Sequence, residues 1–363
     1  MKTNPTPLPT LPQRLSLVTQ TVRSLREGIQ AGQWQKFLPG ERELGAQLLV
    51  SRRTLRAALD ELQRTGWLEV SARQRRRIQA RRTLRNAGVV RKEIAVLSSV
   101  PHSAMSSLMM FVLDVLREKL AKVGYVTKLQ VSPAAFSARP GRALEKLVAE
   151  HPATAWLIVG SKEPMQHWFI RRKLPCLVVG SCAPSIVLPS VDSDHRAACL
   201  HAGGLLLRKG HTRFAMVLPQ DACGGDLASE AGLREALVSA RGNTELRVIR
   251  HDGTVEHLCR LLDHALRSPV PPTAFLVARP IPALTVMMHL LRRGKRIPQE
   301  VAVIAREDDP ALRCSTPSLA HYADSPEQFA RRLALATRQL AESGTLPAHA
   351  IRLMPEFIAG ETV

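Results

Sequence analysis

Between residues 93 and 358 the chain repeats one pattern: a short apolar run, a polar break, then a longer stretch with apolar residues at helical spacing. The runs IAVLSSV (94–100), TKLQVS (127–132), AWLIVG (155–160), CLVVG (176–180), RFAMVL (213–218), LRVIR (246–250), AFLVAR (274–279) and VAVIAR (301–306) read as strands. Stretches at 104–123, 195–209, 254–267, 283–293 and 325–342 read as amphipathic helices. Strands apolar on both faces must be covered on both faces, and strand–helix–strand units return the chain in parallel by right-handed crossovers. The number of units suggests two similar lobes of doubly wound parallel sheet rather than one sheet, an α/β architecture.

The first quarter has a different character. Residues 1–12 are rich in Pro and Thr and are expected to be a disordered lead. Leu15, Val18, Val22, Leu25 and Ile29 then fall at helical spacing, and Gly32 stops the run. LPGERELGAQLLVSRRTLRAALDELQRTGWLEV reads as two short helices, about 40–48 and 52–65, followed by a strand. Ser51 is placed to cap the second helix and Gly66 to end it. The few residues from Leu48 to Ser51 make the joint of a helix-turn-helix, with Leu44, Leu48, Val50, Leu55, Leu59 and Leu62 as its core. Residues 67–70 and 77–80 are expected to pair as a ribbon with SARQRRR at its tip. The organisation expected is a lead (1–12), a winged helix-turn-helix (13–80), a linker (81–92) and a two-lobed domain (93–363).

Charge follows the same division. The chain carries 51 Lys and Arg against 31 Asp and Glu, a net +20. Through Lys92 there are 19 basic and 6 acidic residues, so +13 of the excess lies in the first quarter. A basic excess concentrated on a helix-turn-helix points to double-stranded DNA as partner. Ser51, Arg52, Arg53, Thr54 and Arg56 occupy the start of the second helix, where free N–H groups suit phosphate and arginine forks suit guanine. Arg42 opens the preceding helix and can hold backbone or a base edge.

Other classes find less support. The six cysteines lack CxxC spacing and read as small apolar residues that are buried, without metal or disulfide. No leader-like run follows Met1 and no stretch of about twenty apolar residues occurs, so a cytoplasmic protein without a membrane span is expected. GxSxG, HExxH, GxxxxGK[ST] and GxGxxG motifs in a fitting context are missing, so neither an enzyme nor a cofactor is expected.

The run from Leu38 to Val70 resembles the gluconate-repressor (GntR-type) winged-helix family. That resemblance implies Arg42, Ser51, Arg52, Arg53, Thr54 and Arg56 as DNA contacts. The family's glycine at the wing tip is replaced by Arg73, so Arg73, Arg75 and Arg76 are candidates for phosphate or minor-groove contact. SVDSDHRAACLHAGGLLLRKGHTRFAMV, PTAFLVARPIPALTVMMHLLRRGKRIPQEVAVIAREDD and TPSLAHYADSPEQFARRLALATRQL resemble the effector-binding domain of lactose/galactose-type repressors, itself similar to periplasmic sugar-binding proteins. The pairs Gly210-His211 and Ile297-Pro298 are the most distinctive. The combination is similar to the arabinose-repressor group, which implies a homodimeric regulator whose DNA heads respond to a small effector between two lobes.

The family's sugar contacts are altered. Ser229 stands where an arginine is usual, Arg279-Pro280 replaces Asn-Asp, and Leu108 and Met109 stand in for aromatic residues. Aromatic residues make up only 4% of the chain. Two readings stay open. Asp192, Asp194, Ser229, Arg279 and Arg306 line a retuned pocket for a sugar, sugar phosphate or organic acid, or the domain is a dimerisation scaffold without a ligand. A solute-binding transport protein is a third reading, and the helix-turn-helix argues against it.

Overall fold

The computed structural model describes residues 17–30, 34, 37–64, 67–70, 76–78, 92–240 and 242–363. The chain divides into two compact units, residues 1–90 and 91–363.

The first unit is a three-helix core with a two-stranded ribbon: α1 (Leu17–Gln30), α2 (Glu41–Leu48), α3 (Arg52–Arg64), β1 (Leu68–Val70) and β2 (Arg76–Ile78). Val22 and Leu25 from α1 meet Leu44 from α2 and Leu55, Ala58, Leu59 and Leu62 from α3. Leu48 and Val50, expected in the core, lie partly buried at its edge. The turn between α2 and α3 is tight because Leu49 takes a left-handed conformation (φ 53°) and the Val50 N–H bonds back to the Gly45 carbonyl at 3.2 Å. β1 and β2 pair antiparallel with Val70 opposite Arg76, one residue earlier on the second strand than expected. The proposed lead and linker, and the ribbon tip with Arg73 and Arg75, lie outside the described residues.

The second unit has two lobes, each a six-stranded sheet with helices on both faces. The first lobe is entered by β3 (Lys92–Ser98), α4 (Ser107–Ala121), β4 (Tyr125–Val131), α5 (Gly141–Glu150), β5 (Ala155–Val159), α6 (Glu163–Arg172), β6 (Cys176–Val179) and β7 (Ser190–Ser193). The second follows with α7 (His195–Arg208), β8 (Arg213–Pro219), α8 (Gly224–Val238), β9 (Glu245–His251), α9 (Val255–Leu266), β10 (Ala274–Val277), α10 (Pro280–Arg292), β11 (Ala302–Ala305) and β12 (Ala320–Ala323). The chain then returns through α11 (Pro326–Ser343) and β13 (Ala350–Leu353) to the first lobe, and ends on β14 (Glu356–Ile358) in the second. The sheet orders are β13-β7-β6-β5-β3-β4 and β14-β12-β11-β10-β8-β9, parallel throughout except for β14.

The apolar runs explain both lobes. Successive residues of a strand face opposite sides, so Ile94 and Val96 pack under α4 and α11 while Ala95 and Leu97 pack under α5 and α6. Ala215 and Val217 likewise face α9 and α10, and Phe214 and Met216 face α7 and α8. All eight expected strands form, with ends shifted by a few residues. β7, β12, β13 and β14 were not expected, nor were α5, α6 and α8. One expectation about cysteine fails: Cys176 and Cys199 are buried, but Cys314 is exposed because it ends a short surface turn, Pro310–Cys314. Burial pushes the Cys176 thiol up to about 12 and that of Cys199 to about 11.

Candidate DNA-reading head and interlobe cleft

The start of α3 is closed by its own residues. Ser51 Oγ accepts a hydrogen bond from the Thr54 N–H (3.2 Å) and lies 2.8 Å from Thr54 Oγ1, the arrangement of a capped helix N-terminus. Arg52 and Arg53 follow on the first turn and are exposed, as is Arg42 on the first turn of α2. Among the described residues, no ion pair or side-chain hydrogen bond engages these three guanidinium groups. Arg56 differs. Its Nε donates to Glu41 at 2.8 Å, and Arg76 donates to the other Glu41 oxygen at 3.0 Å.

Glu41 therefore ties α2, α3 and β2 together, and was not among the residues expected to matter. The Arg56 hydrogen bond, with Arg76 beside it, holds the Glu41 carboxyl below the usual range despite some burial. Its signal in the sequence was a carboxylate directly before Arg42, within a segment otherwise rich in uncompensated arginine. Arg76 is a strand residue with its side chain only 20% exposed, turned onto Glu41 and lying 3.8 Å from Asp60.

The residues expected to line an effector pocket fall into two groups. Asp192 ends β7, is buried, and accepts from Ser181 Oγ at 2.6 Å and from the Ser193 N–H at 2.9 Å, with His195 Nε2 3.4 Å away. Burial pushes its carboxyl up, but His195 and the Ser181 hydrogen bond outweigh that and hold it below the usual range. Asp194 caps α7, accepting from the Ala197 N–H at 2.9 Å. A cavity of about 430 Å³ is lined there by Ser181, Ser193, Asp194, Arg196, Leu227 and Arg352, among others.

The second group is gathered by a residue that the sequence reading passed over. Asp226, in the first turn of α8, is 1% exposed and lies 2.9 Å from Arg306 and 3.1 Å from Arg279. Arg306, also 1% exposed, donates further to Ser229 Oγ (2.7 Å), to the Gly225 carbonyl (3.3 Å) and to Glu307. Arg279 donates to Glu307 at 2.9 Å. Burial would raise the Asp226 pKa, but the two guanidinium groups and the Cys223 N–H bring it down to about 2. Ser229, Arg279 and Arg306 are thus brought together, but as members of a charge-balanced cluster of two cations and two anions inside the second lobe.

The lobes touch beside this cluster. Lys162, just before α6, reaches Asp221, just after β8, at 2.9 Å. At Gly224 a Cβ would stand 2.2 Å from the Cys182 carbonyl oxygen of the first lobe, so only glycine lets α8 come this close. Gly224→Ala is expected to destabilise by about 1–3 kcal/mol. Gly204→Ala, in the interior of α7 where a Cβ meets only the flexible end of Arg208 at 3.4 Å, should instead stabilise by roughly 0.5–1 kcal/mol. Thermal melts of the two variants should move in opposite directions.

Comparison with known proteins separates the two units cleanly. A model of the gntR family of bacterial regulatory proteins matches residues 17–78. A model of the periplasmic binding protein-like domain matches residues 204–363. The chain joins a gntR-type helix-turn-helix to a periplasmic-binding-protein-like domain. The HTH-type transcriptional regulator AglR of Rhizobium meliloti (strain 1021) is 30% identical over 121 residues, 33% of this chain and 34% of that protein. The HTH-type transcriptional repressor CytR of Escherichia coli (strain K12) is 25% identical over 182 residues, 49% of this chain and 53% of that protein. The chain thus spans between about a third and a half of the length of these curated relatives. Among solved structures, a regulatory protein of the LacI family from Chloroflexus aggregans superimposes with a TM-score of 0.65 at 18% identity, over 75% of this chain and 99% of that one. The transcriptional regulator CelR in complex with cellobiose gives 0.64 at 18% identity, over 90% of this chain and 100% of that one. These likenesses establish the two-lobed fold. The relatives named here are transcription regulators rather than enzymes. Among the described residues, no helix is long and apolar enough to cross a membrane.

Proposed function

We propose that the protein is a cytoplasmic, sequence-specific transcription regulator, acting as a repressor, that binds double-stranded DNA as a homodimer. The observation that carries this reading is the capped N-terminus of α3, which presents Arg52 and Arg53 exposed and unpaired beside Arg42. A capped helix start with uncompensated guanidinium groups suits the major groove, where arginine forks match the O6 and N7 of guanine. Arg56 and Arg76 are held by Glu41 and serve first to shape the head; Arg56, 66% exposed, can also reach phosphate. A single head covers few base pairs, and two-fold pairing of the chain doubles the contact. In a mobility-shift assay on genomic fragments, affinity should fall steeply with salt, with a log–log slope of about −0.9 per phosphate neutralised. A slope near zero would overturn the phosphate account.

The second unit reads best as a scaffold that holds the two heads, because Arg279 and Arg306, the charged groups suited to an acidic effector, are already matched by Asp226 and Glu307. One observation favours a second reading with a small polar effector, such as a sugar: the cavity of about 430 Å³ beside Asp194 is within the range of small-molecule sites. Cellobiose and related sugars distinguish the two in a thermal-shift screen. A ligand at 100 times its dissociation constant raises stability by about 2.7 kcal/mol, whereas the scaffold reading expects unchanged melts with every sugar.

A further inference from the structure

The first lobe carries a second concavity, with a lining that shares no residue with the interlobe cavity. It lies between the first turn of α5 and the body of α6, has a volume of about 860 Å³, and is walled chiefly by Arg139, Gly141, Arg142, His167, Trp168 and Arg171. No carboxylate is in the wall. Among the described residues, no ion pair or hydrogen bond engages the guanidinium groups of Arg139, Arg142 and Arg171. The adjacent Arg172 shows the contrast: it pairs with Glu145, and its guanidinium lies 5.7 Å from the centre of the Trp168 ring.

The backbone adds to the same field. Pro140 caps α5 without a side-chain hydrogen bond, and the first intrahelical bond is donated only by the Leu144 N–H, so the amides of Gly141, Arg142 and Ala143 precede it. A Cβ at Gly141 would meet nothing within 4 Å, so the helix start is open to approach. Three unmatched guanidinium groups, an imidazole and a helix N-terminus converge on one hollow, an arrangement that attracts multiply charged anions. The interlobe cluster offers no such field, since its two arginines are matched by two carboxylates.

We propose that this concavity is a binding site for a small phosphorylated molecule, held by Arg139, Arg142, Arg171 and the N-terminal amides of α5. Titration calorimetry of the full chain at low ionic strength tests it, with inorganic pyrophosphate and glucose 6-phosphate as probes and glucose as the uncharged control. Pyrophosphate and glucose 6-phosphate should bind once per chain and glucose should not. Arg142→Gln/Arg171→Gln should weaken binding at least tenfold without moving the melting curve, because both side chains are exposed. Gly141→Asp, which sets a carboxylate at the α5 N-terminus, should abolish binding, and Arg52→Ala/Arg53→Ala should leave it intact. The proposal fails if neither phosphate compound binds, or if both bind the Gln variant as tightly as the parent chain. It fails equally if binding is lost in the Arg52/Arg53 variant, which would put the anion on the DNA-reading head. Random-sequence duplex DNA is the last arm: if the Gln variant loses duplex binding as strongly as pyrophosphate binding, the hollow holds nucleic-acid backbone and not a small molecule.

Discussion

Replacing Arg52 and Arg53 together with alanine should lower affinity for the preferred DNA site on the order of 10³-fold and leave the fold intact. Each bidentate arginine–guanine contact discriminates by about 1–3 kcal/mol, and two lost contacts multiply in the binding constant. Both side chains are exposed and have no protein partner among the described residues, so folding loses nothing that packing supplied. Their loss should therefore appear in DNA binding with the melting temperature nearly unchanged. The core of α3 is borne by Leu55, Ala58, Leu59 and Leu62 on the opposite face. Arg56→Ala is the informative contrast, because it also removes a partner of Glu41 and so perturbs the geometry of the head as well as its charge. A double variant that binds its site like the parent chain would show that α3 does not read bases through these arginines.

Arg306→Met is expected to be the most destabilising single change in the second unit. It leaves Asp226 buried with Arg279 alone and strips Ser229 and Glu307 of a donor. Removing one partner of a buried ion pair costs about 3–5 kcal/mol, which for a domain of this size lowers the melting temperature by on the order of 10 °C. Asp226→Asn/Arg306→Met should be milder than Arg306→Met alone, because it leaves the matched pair of Arg279 and Glu307.

The dependence on pH follows from the same cluster. The Asp226 pKa is depressed from its model value of 3.8 to about 2. Its contribution to stability is thus complete above the unfolded value and is lost as pH falls through the folded one. The gap between parent and Arg306→Met melts should accordingly narrow as the pH is lowered from about 5 towards 2. A gap that stays constant over that range would mean that Arg306 acts by packing rather than by charge.

The fold was largely legible because its strongest signals are physical necessities. Runs such as AWLIV and AFLV can only be buried strands in a chain that alternates them with amphipathic helices. The missed strands lack that signal. β7 reads SVDS and β12 reads AHYA, and each sits where the chain passes between lobes, so its burial comes from both lobes rather than from an apolar sequence. α8 escaped notice because GGDLASEAGL is rich in small residues, which serve a close approach and not an amphipathic face: a Cβ at Gly232 would lie 2.1 Å from the Arg196 carbonyl.

The reading head was visible as a run of arginines, but Glu41 was not, because one carboxylate among many basic residues looks like solvation until α2, α3 and β2 are brought together. Arg279 and Arg306 stood out for their charge in positions that the fold places at a cleft. Only the packed structure shows Asp226, 53 residues before Arg279, completing their ion pairs. Sequence patterns carry the positions of charges well and their partners poorly, since partners are set by tertiary contact.

The central claim is that the first unit reads DNA sequence as part of a two-fold assembly. The most direct test is recovery and sequencing of genomic fragments bound by the full chain, with the Arg52→Ala/Arg53→Ala chain in parallel. A sequence-reading homodimer should enrich a few fragments that share a two-fold symmetric motif, with half-sites spaced by about one helical turn, 10–10.5 base pairs, or a multiple of it. That enrichment should vanish in the double variant. Fragments without a common motif, or the same enrichment from the double variant, would contradict it.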